Sequence, residues 1–442
     1  MRTTAHALAL LLFVGCGGTG GNGGGGGGSG GGSSDMAMCP NLQINDTQAA
    51  MRASCGFAAG ALPTDTLGVS EPMRKALPIK HIIVLMKENR SFDHIYGELP
   101  RAGQPDAEGA PASFSNPDAN GVAVARHHET TTCDKSDPPH QWNEMHAQWD
   151  NGKMDGFVKS GTQSSPASDG HFTMGYYDAT DLPFYYWLAN TFAVADHHFP
   201  SVLSGTWANR DYLVAATSNG TKNTLSDPAL TGVPLIFDQL DKANVTWGVY
   251  TDDFAPLEFS VAWGNRKKWG KSADFVKAVQ DGTLPQVAFI DATGLSQPEL
   301  DEHPPADVQA GEGWTRTIVD AVIKSPLWPE TAMFFTYDEA GGFADHVPPP
   351  TTCAPSSDQA EFTQLGVRVP LVAISPWARR HFVSHAVHQH TSILRFIELV
   401  FNVPALTARD ANSDALLDLF DFGCANPAPL DALPAAGSGR CL

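Results

Sequence analysis

A chain of 442 residues with 42% hydrophobic content can fill a large core, and it holds no apolar run long enough to span a membrane. Its formal charge of −20 speaks against a nucleic-acid-binding surface and offers no attraction to anionic lipid. A chain this acidic that handles anions needs a local positive centre, and a bound metal ion is the simplest source.

Arg2 followed by the short apolar run Ala5 to Val14 reads as an export signal over residues 1–15. It closes with Phe13-Val14-Gly15-Cys16, which resembles a bacterial lipobox whose Cys is lipidated. Phe13 stands where Leu is usual, so ordinary cleavage nearby, giving a secreted or periplasmic protein, is the alternative. Residues 16–35 are nearly all Gly and Ser, a flexible tether, and residues 36–442 are expected to fold as one domain. The expectation is an exported protein, lipid-anchored at Cys16 to a cell envelope.

Beyond Cys16 six cysteines remain, an even number suited to an oxidising compartment. Sequence proximity suggests Cys39–Cys55 and Cys424–Cys441, leaving Cys133–Cys353 to join two distant loops. No two have zinc-ribbon spacing, which speaks against a Cys-based metal site.

Along the domain, residues 35–78 read as an irregular wrap. The run Ile82 to Met86 suits a strand buried on both faces, and it breaks into Glu88-Asn89. Residues 98–140 form a long polar insertion, of the kind that serves as a lid or a functional loop. Its histidines His127, His128 and His140 read as solvated loop residues. A helix-like stretch runs from His140 to Trp149. Asp181 is placed to cap a helix with Pro183 in its first turn. A loop of small residues from Ser201 leads to a helix over Trp207–Ala216, and a hydroxyl at its start, on Ser204 or Thr206, would meet free N–H groups and the helix dipole. Capping alone would explain either hydroxyl.

Helix 233–243, strand Val245–Tyr250, helix Ser272–Gln280 and strand Gln286–Asp291 alternate as in a parallel α/β sheet. After a loop carrying His303 comes a helix over Gly313–Ile323. The strand from Ala332 ends in Asp338-Glu339, a second apolar run that breaks into adjacent acids. Gly341 and Gly342 follow and permit close backbone approach. Val369–Ser375 is a further strand, and His388 to Ser392 opens a helix over Ile393–Phe401.

Adjacent carboxylates cost energy when buried and ionised unless a cation neutralises them. Asp338, Glu339, Glu88 and the Asn89 carbonyl would make an oxygen-rich site for a divalent cation such as calcium or zinc. A cation there would lower the pKa of a coordinated hydroxyl, for which Thr206 is the candidate, although spacing does not separate it from Ser204. His303 and His346 could protonate a leaving alkoxide, and Asn209 could hold a phosphate oxygen.

Glu88-Asn89-Arg90-Ser91-Phe92-Asp93-His94 resembles the signature of the bacterial phosphoesterase family that contains non-haemolytic-type phospholipases C and AcpA-like acid phosphatases. Met174-Gly175-Tyr176-Tyr177, Asp181 to Tyr186, Ser201 to Arg210, Thr336 to Glu339, Asp345 to Pro350 and His390 to Phe396 match in family order, over about residues 79–405. The resemblance implies an alkaline-phosphatase-like fold, a mostly parallel sheet sandwiched between helices. It puts the metal ligands on Glu88, Asn89, Thr206, Asp338 and Glu339, with Thr206 as a nucleophile that becomes phosphorylated. It implies a phospholipid or small phosphate ester as substrate. Three functional readings follow: a phospholipase C, an acid phosphatase acting on monoesters, or an inactive envelope-anchored binding protein. Two departures stand out: Ala340 occupies a position where the family commonly has His, and Ser204-Gly205-Thr206 replaces Gly-Pro-Thr. The chain also stops soon after the matched region, short of the C-terminal extension of many larger phospholipases C.

Overall fold

The apolar run at Ile82 forms strand β1 (His81–Lys87), buried from Ile82 onward as its composition demands. In the computed structural model, residues 42, 44–133, 136–165, 168–223, 230, 232–253, 268–294, 299–423, 425 and 433–439 are described. The expected signal, anchor and tether therefore lie outside the described residues, as does the suggested Cys424–Cys441 pair.

β1 is central to a mixed sheet whose other strands are β2 (Ala193–Ala195), β3 (Trp247–Tyr250), β4 (Trp269–Gly270), β5 (Val287–Asp291), β6 (Thr331–Tyr337), β7 (Leu371–Ile374) and β8 (Phe382–Ser384). Their order is β8-β2-β7-β6-β1-β5-β3-β4. β1 pairs in parallel with both β5 and β6. β7 pairs antiparallel with both its neighbours, β6 and β2, so the sheet is mostly parallel rather than wholly so. The chain between β6 and β7 is a long loop whose one helical stretch is the 3-10 turn Ser357–Thr363, and without a crossover α-helix nothing forces a parallel return.

Helices pack around the sheet. Thr206–Ala215 lies against His390–Phe401, while Val308–Ile323 contacts both Ser272–Gln280 and Pro183–Thr191. The Val308 helix starts earlier than Gly313 because Asp307 caps it, accepting from the Gln309 N–H at 3.0 Å. Asp181 does not cap the Pro183 helix. Its carboxylate turns back to the Asp178 N–H at 2.8 Å and His128 Nε2 at 2.6 Å, and Leu182 takes the cap position. Among the described residues no helix is long and apolar enough to cross a membrane.

The 98–140 insertion has structure of its own. Ser115–Pro117 and Ala123–Ala125 form an antiparallel pair, and His127–His128 pairs with Gly175–Tyr176. Ion pairs hold its base, among them Arg126 with Glu98.

A disulfide joins Cys55 to Cys353 across 298 residues of sequence. It replaces both the Cys39–Cys55 and the Cys133–Cys353 pairings expected from proximity. The wrap residues Ala49, Arg52 and Cys55 lie beside Pro350–Cys353 of the loop after β6, and the Phe57 N–H donates to Asn412 further along, so spatial and not sequential neighbours pair. A loop this long carries a large closure entropy in the unfolded chain. Cys55→Ala/Cys353→Ala is expected to lose about 2–5 kcal/mol in non-reducing chemical denaturation. An unchanged unfolding midpoint would mean that the cross-link does not constrain the unfolded state.

Candidate active site

Register assembles the site. Met86 pairs with Thr336 and Lys87 with Tyr337 in β1 and β6, while Met86 pairs with Asp291 in β5. Three neighbouring parallel strands thus end together. Glu88-Asn89, Asp338-Glu339 and Asp291 leave the sheet at one edge, beyond the carboxyl ends where open α/β sheets bind ligands. The Asp338 N–H donates to the Lys87 carbonyl at 3.0 Å, which extends the ladder into the site.

Asn89 has φ +74°, a left-handed conformation that Asn tolerates. Gly341 sits against it with φ +64°, and a Cβ there would lie 2.3 Å from the Asn89 carbonyl oxygen. The Gly341 N–H also donates to Glu339 Oε2 at 2.5 Å. This is the close approach expected of the glycines after Glu339.

Thr206 is the first residue of its helix and is buried. Its hydroxyl lies 3.3 Å from Asn89 Oδ1 and hydrogen-bonds Asp338. The Ser204 hydroxyl points away, donating to the Lys222 carbonyl at 2.6 Å. The structure thus brings Thr206, not Ser204, to the acids. Asn209 is spent on the loop itself: its oxygen accepts from the Val202 N–H at 3.0 Å and its amide donates to the Ser204 and Gly205 carbonyls at 2.7 and 3.2 Å. In this arrangement it shapes the turn that presents Thr206.

Arg210, one helical turn beyond Thr206, was not singled out by sequence. Its buried guanidinium meets Asp291 at 2.7 Å, Glu88 at 3.1 Å and Asp338 at 3.4 Å. The i, i+4 spacing from Thr206 puts both on one helix face, and that spacing was a usable signal. Burial opposes its charge, but Asp291, Glu88 and Asp338 outweigh burial and hold it cationic. The acids still outnumber it. Burial pushes Glu88 and Glu339 well above the usual carboxylate range, and raises Asp291 and Asp338.

His140, read from sequence as a solvated loop residue, is buried at the site. The insertion returns at Pro138-Pro139, packs on Gly342 (φ +74°), and sets His140 Nε2 3.4 Å from Asn89 Nδ2 and 3.7 Å from Glu339 Oε1. His303 lies alongside, its ring 5.8 Å from that of His140. Each imidazole bonds a backbone carbonyl through Nδ1, Pro138 at 2.6 Å and Pro304 at 2.7 Å, which leaves both Nε2 atoms to face Asn89. Asp137 completes a group with these histidines whose ligand atoms lie within 4.8 Å of one another.

The Asn89 amide tests whether a cation fits. One end lies 2.9 Å from both Glu339 Oε1 and Asp338 Oδ1, and the other 3.0 Å from His303 Nε2. With both imidazoles neutral, the NH₂ satisfies them and the oxygen must face two carboxylate oxygens. A cation, or a proton on one of the carboxyls, reconciles three such oxygens. With the amide reversed, the NH₂ faces the carboxylates and His303 must be protonated to donate. An acceptor-only inner wall, surplus carboxylates and a flanking hydroxyl fit a divalent cation held by Glu88, Asn89, Thr206, Asp338 and Glu339.

His346 falls in a different cluster. Its Nδ1 meets Asp93 at 2.7 Å, and Arg368 clamps Asp93 at 3.0 Å and Asp345 at 2.9 Å. Burial opposes protonation of His346, but Asp93 and Asp345 raise its pKa overall. No contact of His346 given by the described residues reaches Thr206 or the acids at the sheet edge. Ala340 is fully buried in an apolar group with Met145, Met154 and Phe157.

With this geometry in place, the comparisons with known proteins are decisive at the family level. The chain belongs to the Phosphoesterase family, whose model matches residues 79–404. It is 32% identical over 372 residues to non-specific phospholipase C1 of Arabidopsis thaliana, covering 76% of this chain and 69% of that protein. It is 32% identical over 415 residues to phospholipase C B of Mycobacterium tuberculosis, covering 78% of each. The non-hemolytic phospholipase C of Burkholderia pseudomallei is 29% identical over 401 residues, 73% of this chain and 55% of that one. Among solved structures, the lipoteichoic acid synthase LtaP of Listeria monocytogenes aligns with a TM-score of 0.38 at 12% identity, covering 81% of this chain and 82% of that one. This likeness is too slight to bear on function. The enzyme is a phosphoric ester hydrolase.

Protonation and cation binding compete at the acids. A carboxyl whose pKa is raised on folding binds more protons folded than unfolded, so it costs stability as pH rises from the ordinary carboxylate range through the raised value. A cation removes that cost. The gain in melting temperature from a saturating divalent cation over chelator is therefore expected to grow from pH 5 to pH 8. A gain that is flat or falls with pH would contradict this assignment. Gly341→Ala is expected to weaken cation binding about 10-fold or more, as disturbance of a ligand's support does. Isothermal titration of wild type and variant checks this.

Proposed function

We propose that this protein is a phospholipase C, cleaving the glycerol-side phosphate bond of a phospholipid through a phospho-threonine on Thr206. The observation that carries the reading is the Thr206 hydroxyl, held at a helix N-terminus against Asp338 and Asn89. The relatives named phospholipase C support the substrate class.

When bound, a divalent cation neutralises the surplus carboxylates and polarises the phosphoryl group. Thr206 Oγ attacks phosphorus in line, and its proton leaves toward the Asp338 carboxylate, which already accepts its hydrogen bond. The bond from phosphorus to the glycerol oxygen breaks as His303, which takes a proton on Nε2 from solvent before this step, delivers it to that oxygen. Diacylglycerol departs, and the headgroup phosphoryl stays on Thr206. Water, deprotonated by the same imidazole, then attacks phosphorus, Asp338 returns its proton to the departing Thr206 Oγ, and the phosphorylated headgroup is released. Two inversions give net retention at phosphorus. Arg210 keeps Asp338 and Glu88 oriented, and the N-terminus of the Thr206 helix lies where it would favour the phosphoryl charge. In this reading Asn209 and His346 position walls and do not transfer protons.

The export signal and the lipid anchor at Cys16 belong to the same proposal, since a tethered enzyme would meet its substrate at an envelope surface. Signal cleavage and lipidation are read by mass spectrometry of the mature N-terminus, and an unmodified Cys16 would remove the anchor.

Hydrolysis of p-nitrophenylphosphorylcholine and p-nitrophenyl phosphate side by side tests the reaction. Preference for the diester, falling about 10³-fold or more in Thr206→Ala, is expected. Turnover confined to the monoester would make the protein a phosphatase, and absence of both with metal supplied, extending to natural lipids, would favour a binding protein. His303→Gln is expected to slow release of a lipid alkoxide by about 10²-fold or more, and release of p-nitrophenolate much less. Equal losses on both substrates would remove His303 as the proton donor.

A further inference from the structure

The strand end that bears Asp338 and Glu339 is bonded by the sheet on one side only. Toward β1, the Asp338 N–H donates to the Lys87 carbonyl at 3.0 Å. Toward β7, the ladder stops at the pair Thr336–Leu371. The residues next in line on that chain offer no donor. Pro370 has no N–H, and the Val369 N–H donates to the His198 carbonyl at 3.0 Å. The Asp338 carbonyl is thus left without a strand partner, in a place where buried carbonyls are almost always bonded.

A side chain stands in for the missing strand. His390 Nε2 lies 2.7 Å from the Asp338 carbonyl oxygen, and the residue is fully buried. A carbonyl only accepts, so Nε2 carries the ring proton and donates it. His390 Nδ1 has no hydrogen-bond partner among the described residues, so the imidazole is committed to this one bond. His390 also begins the helix His390–Phe401, whose start is fixed by its neighbours. The two residues before it, His388–Gln389, pair in parallel with His198–Phe199. The Thr391 N–H donates at 3.4 Å to the Ser201 hydroxyl, in the loop that leads to Thr206, and the helix packs against Thr206–Ala215. One helix start therefore reaches both the loop that presents the hydroxyl and the peptide that joins the two acids.

We propose that His390 is a positioning residue for the sheet-edge site: its bond holds the Asp338–Glu339 peptide in one orientation. Both carboxylates leave the backbone from that peptide, so its rotation would turn both away from a shared cation and move Asp338 relative to the Thr206 hydroxyl. A donor to a ligand's own backbone acts as an outer partner of that ligand, orienting it without touching the cation or the substrate. The inference rests on Asp338 and Glu339 as cation ligands and is independent of which ester is cleaved.

The full chain is compared as wild type, His390→Gln, His390→Asn and His390→Leu. Gln can place an amide donor where Nε2 lies, Asn falls a bond short, and Leu fills the space with no donor. In chelator, hydrogen exchange over residues 336–342 is expected to quicken about 10-fold or more in His390→Asn and His390→Leu, and to stay within about threefold of wild type in His390→Gln. Calorimetric titration with Ca²⁺ and with Zn²⁺ is expected to follow the same order. Affinity weakens about 10-fold or more in His390→Asn and His390→Leu at unchanged stoichiometry, and His390→Gln restores it. Loss of folded protein would lower the stoichiometry instead, and one folded variant without the donor is enough for the comparison. Exchange needs no bound metal, so a wild type that binds neither cation would remove the cation site and leave His390 to be judged by exchange alone. Exchange in His390→Asn and His390→Leu equal to wild type, or His390→Gln as impaired as they are, would overturn the role of His390.

Discussion

Everything at the working edge depends on one electrostatic constraint: Glu88, Asp291, Asp338 and Glu339 are buried together against one guanidinium. Desolvated carboxylates a few ångströms apart cannot all stay ionised unaided. Arg210 removes part of the excess permanently. The rest must be met by protons or by a cation, and that unmet demand is what makes the edge a binding site. Arg210 belongs to the helix that begins at Thr206. The same helix therefore supplies the fixed positive charge and the hydroxyl, and displacing one displaces the other.

A second buried network stands behind the first. Lys87 meets Glu302 Oε1 at 3.1 Å, Tyr337 donates to Glu302 Oε2 at 2.5 Å, Tyr185 donates to the same carboxylate, and Arg90 Nη2 donates to the Glu302 carbonyl at 2.7 Å. Glu302 has φ +76°, a strained conformation for this residue. Lys87 and Arg90 flank Glu88-Asn89, and Tyr337 precedes Asp338. Glu302 thus bonds both acid-bearing strand ends and fixes the backbone just before His303. Such fully bonded polar networks are rigid because any partner left unmatched in low dielectric is costly.

Much of this was legible in the chain. Two β-branched and aromatic runs, Ile82–Met86 and Ala332–Tyr337, each ending in paired polar residues, fixed the strands and their open ends. Local rules suffice there, since burial on both faces needs apolar continuity. Arg210 and His140 were missed for a shared reason. Their partners are distant in sequence, so a helix interior and a Pro-rich insertion looked ordinary until register brought the acids together. The reversed β7 and the Cys55–Cys353 bond escaped notice on similar grounds. Strand direction after a long loop and the choice among distant cysteines are set by tertiary packing, which leaves no local mark.

The 98–140 insertion and Ala340 illuminate each other. The position after Asp338-Glu339 faces the apolar group built by Met145, Met154, Phe157 and Val158, which come from the chain following the insertion. A small apolar side chain lets that group pack directly beneath the site. Gly342 then lets Pro138-Pro139 approach: a Cβ at Gly342 would lie 2.7 Å from Pro138 Cβ. The result is an imidazole, His140, entering from the insertion against Glu339 and Asn89. A polar side chain at position 340 would have to be buried among methionines and a phenylalanine, at a desolvation cost of about 1–3 kcal/mol for an unpaired group. The architecture therefore supplies a site imidazole through the insertion, while the residue after Glu339 serves packing. Substrate preference in this chain should accordingly respond more to the insertion, which carries His140, than to changes near Ala340.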